Sequence, residues 1–182
     1  MRAKVKVILK GGREVSLVEW QRLYGLPEGS DKIGRYFSLK ESRFINDLSA
    51  YGELIVNELL MRVLDGTREV ADRPLTINSF NRNEEHQQEL KQKGFKAATY
   101  SPHVVKMAAD IDTKDETETR YLVKVIKQVA DVLGIKVRIG FQQYLNAGQT
   151  FVHVDVCPEY YGKGKVYHST FHPAAWENSI TW

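Results

Sequence analysis

The segment TFVHVDV, residues 150–156, sets two polar residues into an otherwise apolar run. In an extended chain successive side chains alternate between faces, so Val152, Val154 and Val156 share one face while His153 and Asp155 share the other. A β-branched run of this kind belongs to a buried strand. Hiding a polar group without a partner costs roughly 2–7 kcal/mol. Any fold that buries this strand must therefore bring hydrogen-bond partners or a metal to His153 and Asp155.

A second histidine and carboxylate occur in SPHVVKMAADID, residues 101–112. On one straight helix His103 and Asp110 would stand about 10 Å apart along the axis, too far for ligands that each sit about 2 Å from one metal. Pro102 immediately precedes His103 and MAADIDT reads as an interior strand, so a helix is not expected here. A turn carrying His103 that leads into a strand carrying Asp110 brings both side chains to one point. With His153 the set offers two imidazoles and one carboxylate, which suits a single catalytic zinc ion with its fourth position open for water. The competing reading, histidines satisfied by hydrogen bonds in an ordinary core, predicts that His103 and His153 lie far apart.

The rest of the chain supplies the frame. At 182 residues it can build one sizeable core, and a single domain over residues 1–182 is expected. MRAKVKVILKGGREV alternates apolar and basic residues and reads as a strand and a turn at Gly11 and Gly12, not as an export signal. SLVEWQRLYGLPEGS reads as a short helix closed by Gly25 and Pro27. Ser38 and Glu41 have capping-box spacing, and Phe44, Leu48, Ile55, Leu59 and Val63 fall on one helical face, which predicts one long helix ending near Gly66. A buried strand is expected from Leu75 to about Phe80, then a polar surface helix carrying His86 and ending at Gly94. An amphipathic helix with Leu122, Val125, Ile126, Val129 and Leu133 on its apolar face stops at Gly134, and strands follow in IKVRIGF and TFVHVDV. The tail from Pro158 to Trp182 reads as aromatic-rich and irregular, with His168 and His172 packed in it rather than ligating a metal. Helices and strands alternate without regular β-α-β spacing, so the fold class is α+β rather than a doubly wound parallel sheet.

Composition narrows the partners. Lys and Arg number 26 against 23 Asp and Glu, mixed along the chain, so no basic stripe is present and nucleic acid is not an expected partner. The single cysteine, Cys157, excludes an internal disulfide and a cysteine metal cluster and reads as a small buried filler. No segment reaches the roughly 20 apolar residues of a membrane span.

These residues resemble a known family, the zinc D-Ala-D-Ala carboxypeptidase-like peptidases of the Hedgehog/DD-peptidase fold. Ser101, His103, Ala108 and Asp110 stand in register with the family motif S-x-H-x-x-G-x-A-x-D, and FVHVDV resembles the H-x-D second motif of the murein endopeptidase-like members. LTINSFNRNEEHQ is similar to the family's SGYR segment, which places Arg82 at the family's substrate-side arginine, and YFSLKE resembles its lead-in to a long helix. The resemblance covers roughly residues 36–156, leaving 1–35 as an N-terminal extension and 157–182 as the tail. It implies a central antiparallel sheet flanked by helices, one zinc ion on His103, Asp110 and His153, and a monomer that cleaves peptidoglycan peptides near D-amino acids, as carboxypeptidase or endopeptidase. In such an enzyme zinc lowers the pKa of its water, and a carboxylate takes the proton and passes it to the leaving amine. Arg82 and Ser101 are then expected on the substrate, Arg82 holding a carboxylate or the oxyanion. Without an export signal, such a chain fits release through a phage-type pore, as an endolysin, or a signal removed beforehand.

The sequence departs from the family pattern at two places. Lys106 occupies the motif's glycine position. Thr150 and Phe151 stand where many members carry the catalytic base, so Asp155 becomes the expected base or, equally, a residue that orients a ligand imidazole. If the base is lost, the alternative is a zinc-binding member without catalysis, a binding or phage structural protein.

Overall fold

The N-terminal hairpin already shows how the chain punctuates itself: after strand β1 (Lys4–Ile8) it turns through Gly12, whose φ of 83° suits glycine, and returns as β2 (Glu14–Ser16). The computed structural model describes residues 4–93, 101–161 and 180–181. Ser16 caps the next helix, α1 (Leu17–Tyr24), by accepting the Glu19 N–H, and Gly25 ends it in the left-handed region, as expected from the sequence.

The expected single helix from Ser38 to Gly66 is corrected: this stretch forms helix α2 (Ser42–Tyr51), strand β3 (Glu53–Asn57) and helix α3 (Glu58–Ala71). Gly52, at φ 71°, ends α2, and Ile55 lies in β3, which pairs in parallel with β1 to complete a three-stranded sheet in the order β2-β1-β3. The Ser38 N–H does bond the Glu41 carboxylate at 2.9 Å, but this pair closes a turn ahead of α2, whose cap position is Glu41 itself. Asn57 then caps α3 with its side-chain oxygen.

The remaining elements are β4 (Ile77–Ser79), α4 (Glu84–Gln92), β5 (Ala108–Asp112), α5 (Glu116–Leu133), β6 (Arg138–Gly140), α6 (Gln142–Asn146), β7 (Phe151–Asp155), α7 (Cys157–Tyr161) and β8 (Ile180–Thr181). Those from β4 to β6, and β7, come in the expected order, whereas α6, α7 and β8 are not among the expected elements. Five of the strands form a sheet in the order β4-β5-β7-β6-β8, and every pairing in it is antiparallel. Helix α5 packs against α3 and β7. This is the α+β arrangement with a central antiparallel sheet flanked by helices. Part of the tail read as irregular is ordered as α7 and as β8, which extends the sheet beyond β6. Gly94, His168 and His172 lie outside the described residues. Among the described residues no helix is long and apolar enough to cross a membrane.

The core explains the strand order. Val152, Val154 and Val156 are fully buried together with Ile111, Leu122, Ile126 and Ile139, and the same cluster takes in Val7, Val15 and Trp20 from the N-terminal segment. Sandwiched under this core, the second face of β7 is buried as well, with His153 3% and Asp155 0% exposed. The polar pair His153 and Asp155 thus sits inside the protein, and its partners decide what it can do.

Candidate metal centre

The loop before β5 is built to aim His103 inward. Ser101 starts a tight turn in which its carbonyl accepts the Val104 N–H at 2.9 Å, the Pro102 carbonyl accepts the Met107 N–H at 2.9 Å, and the Ser101 hydroxyl accepts the His103 N–H at 3.3 Å. Lys106 closes the turn at φ 63°, in the left-handed region, which is the conformation that a glycine at this motif position would adopt without strain. Its ammonium donates to the Arg82 carbonyl and stands 5.8 Å from the Tyr51 ring centre.

Strand register supplies the other two members. Asp110 on β5 lies directly opposite His153 on β7, and His153 in turn faces Gly140 on β6. Oδ1 of Asp110 is 2.8 Å from Nδ1 of His153 and 3.2 Å from Nε2 of His103, and the two imidazole centres are 5.2 Å apart. One potential ligand atom from each of His103, Asp110 and His153 lies within 4.8 Å of the others, and all three residues are buried. The alternative of two unrelated core histidines far apart is excluded by this distance.

The outward ring nitrogens are already committed. Nδ1 of His103 stands 2.7 Å from the Phe80 carbonyl, which can only accept, so that nitrogen carries the proton and Nε2 presents a lone pair to Asp110. Nε2 of His153 lies 3.2 Å from Oδ2 of Asp155, which leaves Nδ1 for Asp110. Two imidazole lone pairs aimed at one carboxylate oxygen repel unless added protons or a cation lie among them. The donor set, the burial and the outer hydrogen bonds together fit a metal ion, and the cluster can bind one.

Electrostatics follow from the same contacts. Burial would raise the Asp110 carboxyl, but His103 and His153 outweigh it and hold it well below the ordinary carboxylate range. Burial pushes the His103 imidazole down. For His153 burial acts downward too, yet its bonds to Asp110 and Asp155 prevail and raise it to about 9. Burial likewise opposes ionisation of Asp155, while His153 and Arg138 overcome it and keep the carboxyl low.

Arg82 and Ser101 occupy different settings. Arg82 donates from its guanidinium to the Ser79 hydroxyl at 2.9 Å and to Oδ2 of Asp110 at 3.2 Å, so it touches the cluster directly. Ser101 is 3% exposed and its hydroxyl is engaged in the turn. Asp155 is fully buried; both of its oxygens accept from Nε of Arg138 at 2.9 Å, Oδ1 also accepts the Cys157 N–H, and Oδ2 also meets Nε2 of His153.

Three participants escape a reading of the sequence alone. Arg138 is fully buried opposite Asp155, a relation set by the pairing of β6 with β7. The Phe80 carbonyl is a backbone group and leaves no residue signature. Tyr144 stacks near Phe151 at 4.0 Å between ring centres, and burial followed by the charge of Asp110 pushes its hydroxyl above the usual range.

No protein-family model and no curated protein matches the sequence. Among solved structures, the fold is similar to that of the Serratia marcescens L-Ala D-Glu endopeptidase ChiX, with a TM-score of 0.50 and 16% identity, covering 69% of this chain and 99% of that one. The likeness shows a shared fold.

Proposed function

We propose that the chain is a zinc-dependent peptidase that cleaves peptidoglycan peptides near D-amino acids. The observation that carries this reading is the convergence of His103, Asp110 and His153, each outward ring nitrogen already bonded to an oxygen and each inward atom aimed at one point. The shared fold with an L-Ala D-Glu endopeptidase supports a cell-wall peptide as the substrate class. A zinc ion held by these residues supplies a Lewis acid for amide hydrolysis.

The chain's own residues then divide the work. His103 would ligate through Nε2 and His153 through Nδ1, because their other nitrogens face the Phe80 carbonyl and the Asp155 carboxylate. Arg82, beside Oδ2 of Asp110, is placed to hold a substrate carboxylate or the oxyanion. Ser101 acts through the turn that aims His103. Asp155 acts through His153: it lies beyond that ring from Asp110 and is held by Arg138, which suits orienting an imidazole better than accepting a proton from water.

That same placement of Asp155 favours one second reading, a zinc-binding protein of the same fold without catalysis. Metal analysis of the purified protein, paired with digestion of peptidoglycan by wild type and by His153→Ala, separates the two. One zinc ion per chain with release of cleaved peptides, both lost in His153→Ala, is the expected result. Zinc without cleavage selects the binding protein, and absence of zinc overturns both.

A further inference from the structure

The segment Phe80–Arg82 reaches the metal centre from outside the two ligand-bearing strands, and the backbone groups of Phe80 and Arg82 serve that approach. The Phe80 carbonyl accepts a hydrogen bond from Nδ1 of His103 at 2.7 Å, the Arg82 N–H donates to the His103 carbonyl at 3.2 Å, and the Arg82 carbonyl accepts from the Lys106 ammonium. Between them, Asn81 points away from the cluster and is 4% exposed. Its side chain grips β3 twice, accepting the Ile55 N–H at 2.8 Å and donating to the Ile55 carbonyl at 3.0 Å. Its own N–H donates to Oδ2 of Asp47 at 2.9 Å, and Asp47 is fully buried on α2, with Arg43 on its other oxygen.

This clamp joins elements that carry no ligand to the one carbonyl that selects the tautomer of His103. Should Phe80 shift by about 1 Å, the 2.7 Å bond would leave hydrogen-bond range, and the proton of His103 would be free to move to Nε2, the nitrogen that faces Asp110. We propose that Asn81, clamped between Asp47 and Ile55, is a positioning residue that sets the Phe80 carbonyl against His103 and so keeps Nε2 as the ligating nitrogen. The proposal rests on the reading of His103 as a metal ligand. Outer hydrogen-bond partners of ligating histidines are commonly worth about 10–100-fold in metal affinity, and Asn81 stands one step behind such a partner.

The test measures two properties in Asn81→Ala, Asp47→Ala and Asp47→Asn: zinc affinity by competition with a chromophoric chelator, and the imidazole nitrogen shifts of His103 in the metal-free protein. Asn81→Ala and Asp47→Ala are expected to weaken zinc about tenfold or more and to move His103 away from the Nδ1–H tautomer. Asp47→Asn keeps an acceptor for the Asn81 N–H and is expected to stay close to wild type. Should Asn81→Ala not fold, Asn81→Asp, which keeps the bond to the Ile55 N–H and loses the donor to its carbonyl, is expected to weaken zinc with the same tautomer shift. A folded variant with zinc affinity within about twofold of wild type and unchanged shifts overturns the proposal, since a purely structural clamp would lower thermal stability alone. If wild type binds no zinc, the ligand reading fails, and the tautomer shift by itself decides whether Asn81 positions His103.

Discussion

Asp110 and His153 sit directly opposite each other on neighbouring antiparallel strands, and their side chains meet at 2.8 Å. The contact is made by sheet register, so a slip of one residue would turn the two groups to opposite faces and dissolve the centre. Only His103 arrives from a loop, and that loop is tied down by its own turn and by the Phe80 carbonyl. A centre built mainly on strands is rigid before any ion binds, which limits what must be reorganised on binding.

The pH response of the metal-free protein follows from His153. Its folded pKa of about 9 lies above the unfolded value of about 6.5, so its contribution to stability is complete below about pH 6.5 and is lost as pH rises through about 9. Thermal unfolding of chelator-treated protein should therefore show a falling Tm across that window. Zinc binding near neutral pH must displace that proton, and affinity should rise about tenfold per pH unit until about pH 9. Calorimetry in buffers of different ionisation enthalpy should read about one proton released per ion. An affinity that is flat over this range would mean that His153 is neutral before zinc arrives.

The Arg138–Asp155 pair is expected to matter more for stability than any ion pair on the surface, because both groups are enclosed. Arg138→Met removes the guanidinium from Asp155, leaving the His153 imidazolium as its remaining cationic partner, and should cost about 3 kcal/mol in urea unfolding of the metal-free protein. Combining it with Asp155→Asn should recover a large part of that loss, since neither charge is then left behind. Asp155→Asn alone should also weaken zinc by about 10–100-fold through the imidazole it orients. Additive losses in the double variant would show that the pair is not coupled.

How far the sequence could be read depended on whether a contact was local. The three cluster residues were legible because a proline, a run of small residues and a polar pair on a valine strand each restrict the chain within a few positions. Asp155 was legible as a partner of His153 on the same strand face, but its enclosure by Arg138 depends on the pairing of β6 with β7 and is silent in either segment alone. The helix from Ser38 to Gly66 was misread because Phe44, Leu48, Ile55, Leu59 and Val63 keep helical spacing straight through a strand. The local signals against it, Gly52 and the β-branched Ile55 and Val56, win because β1 offers that segment a parallel partner in register.

Gly52→Ala distinguishes a helix–strand break at this position from a continuous helix. At φ 71° glycine ends α2, and a methyl group added there would meet nothing within 4 Å, so only backbone strain changes. The substitution should destabilise by about 1 kcal/mol. Inside a continuous helix the same change would stabilise by roughly 0.5–1 kcal/mol. Chemical denaturation therefore distinguishes the two architectures by direction alone.

Lys106 offers the converse case, a side chain that stands where the backbone favours glycine. The left-handed conformation at φ 63° costs a non-glycine residue roughly 1–2 kcal/mol. The bond from its ammonium to the Arg82 carbonyl returns about 0.5–1.5 kcal/mol, so the two effects nearly offset each other. Lys106→Ala keeps the strain and loses the bond, whereas Lys106→Gly loses both. The glycine variant should accordingly be more stable than the alanine variant by about 1 kcal/mol, with the lysine wild type close to the glycine variant. If alanine and glycine unfold at the same denaturant concentration, the turn at 106 is not left-handed in solution, and the aim of His103 must be set by Ser101 and Phe80 without it.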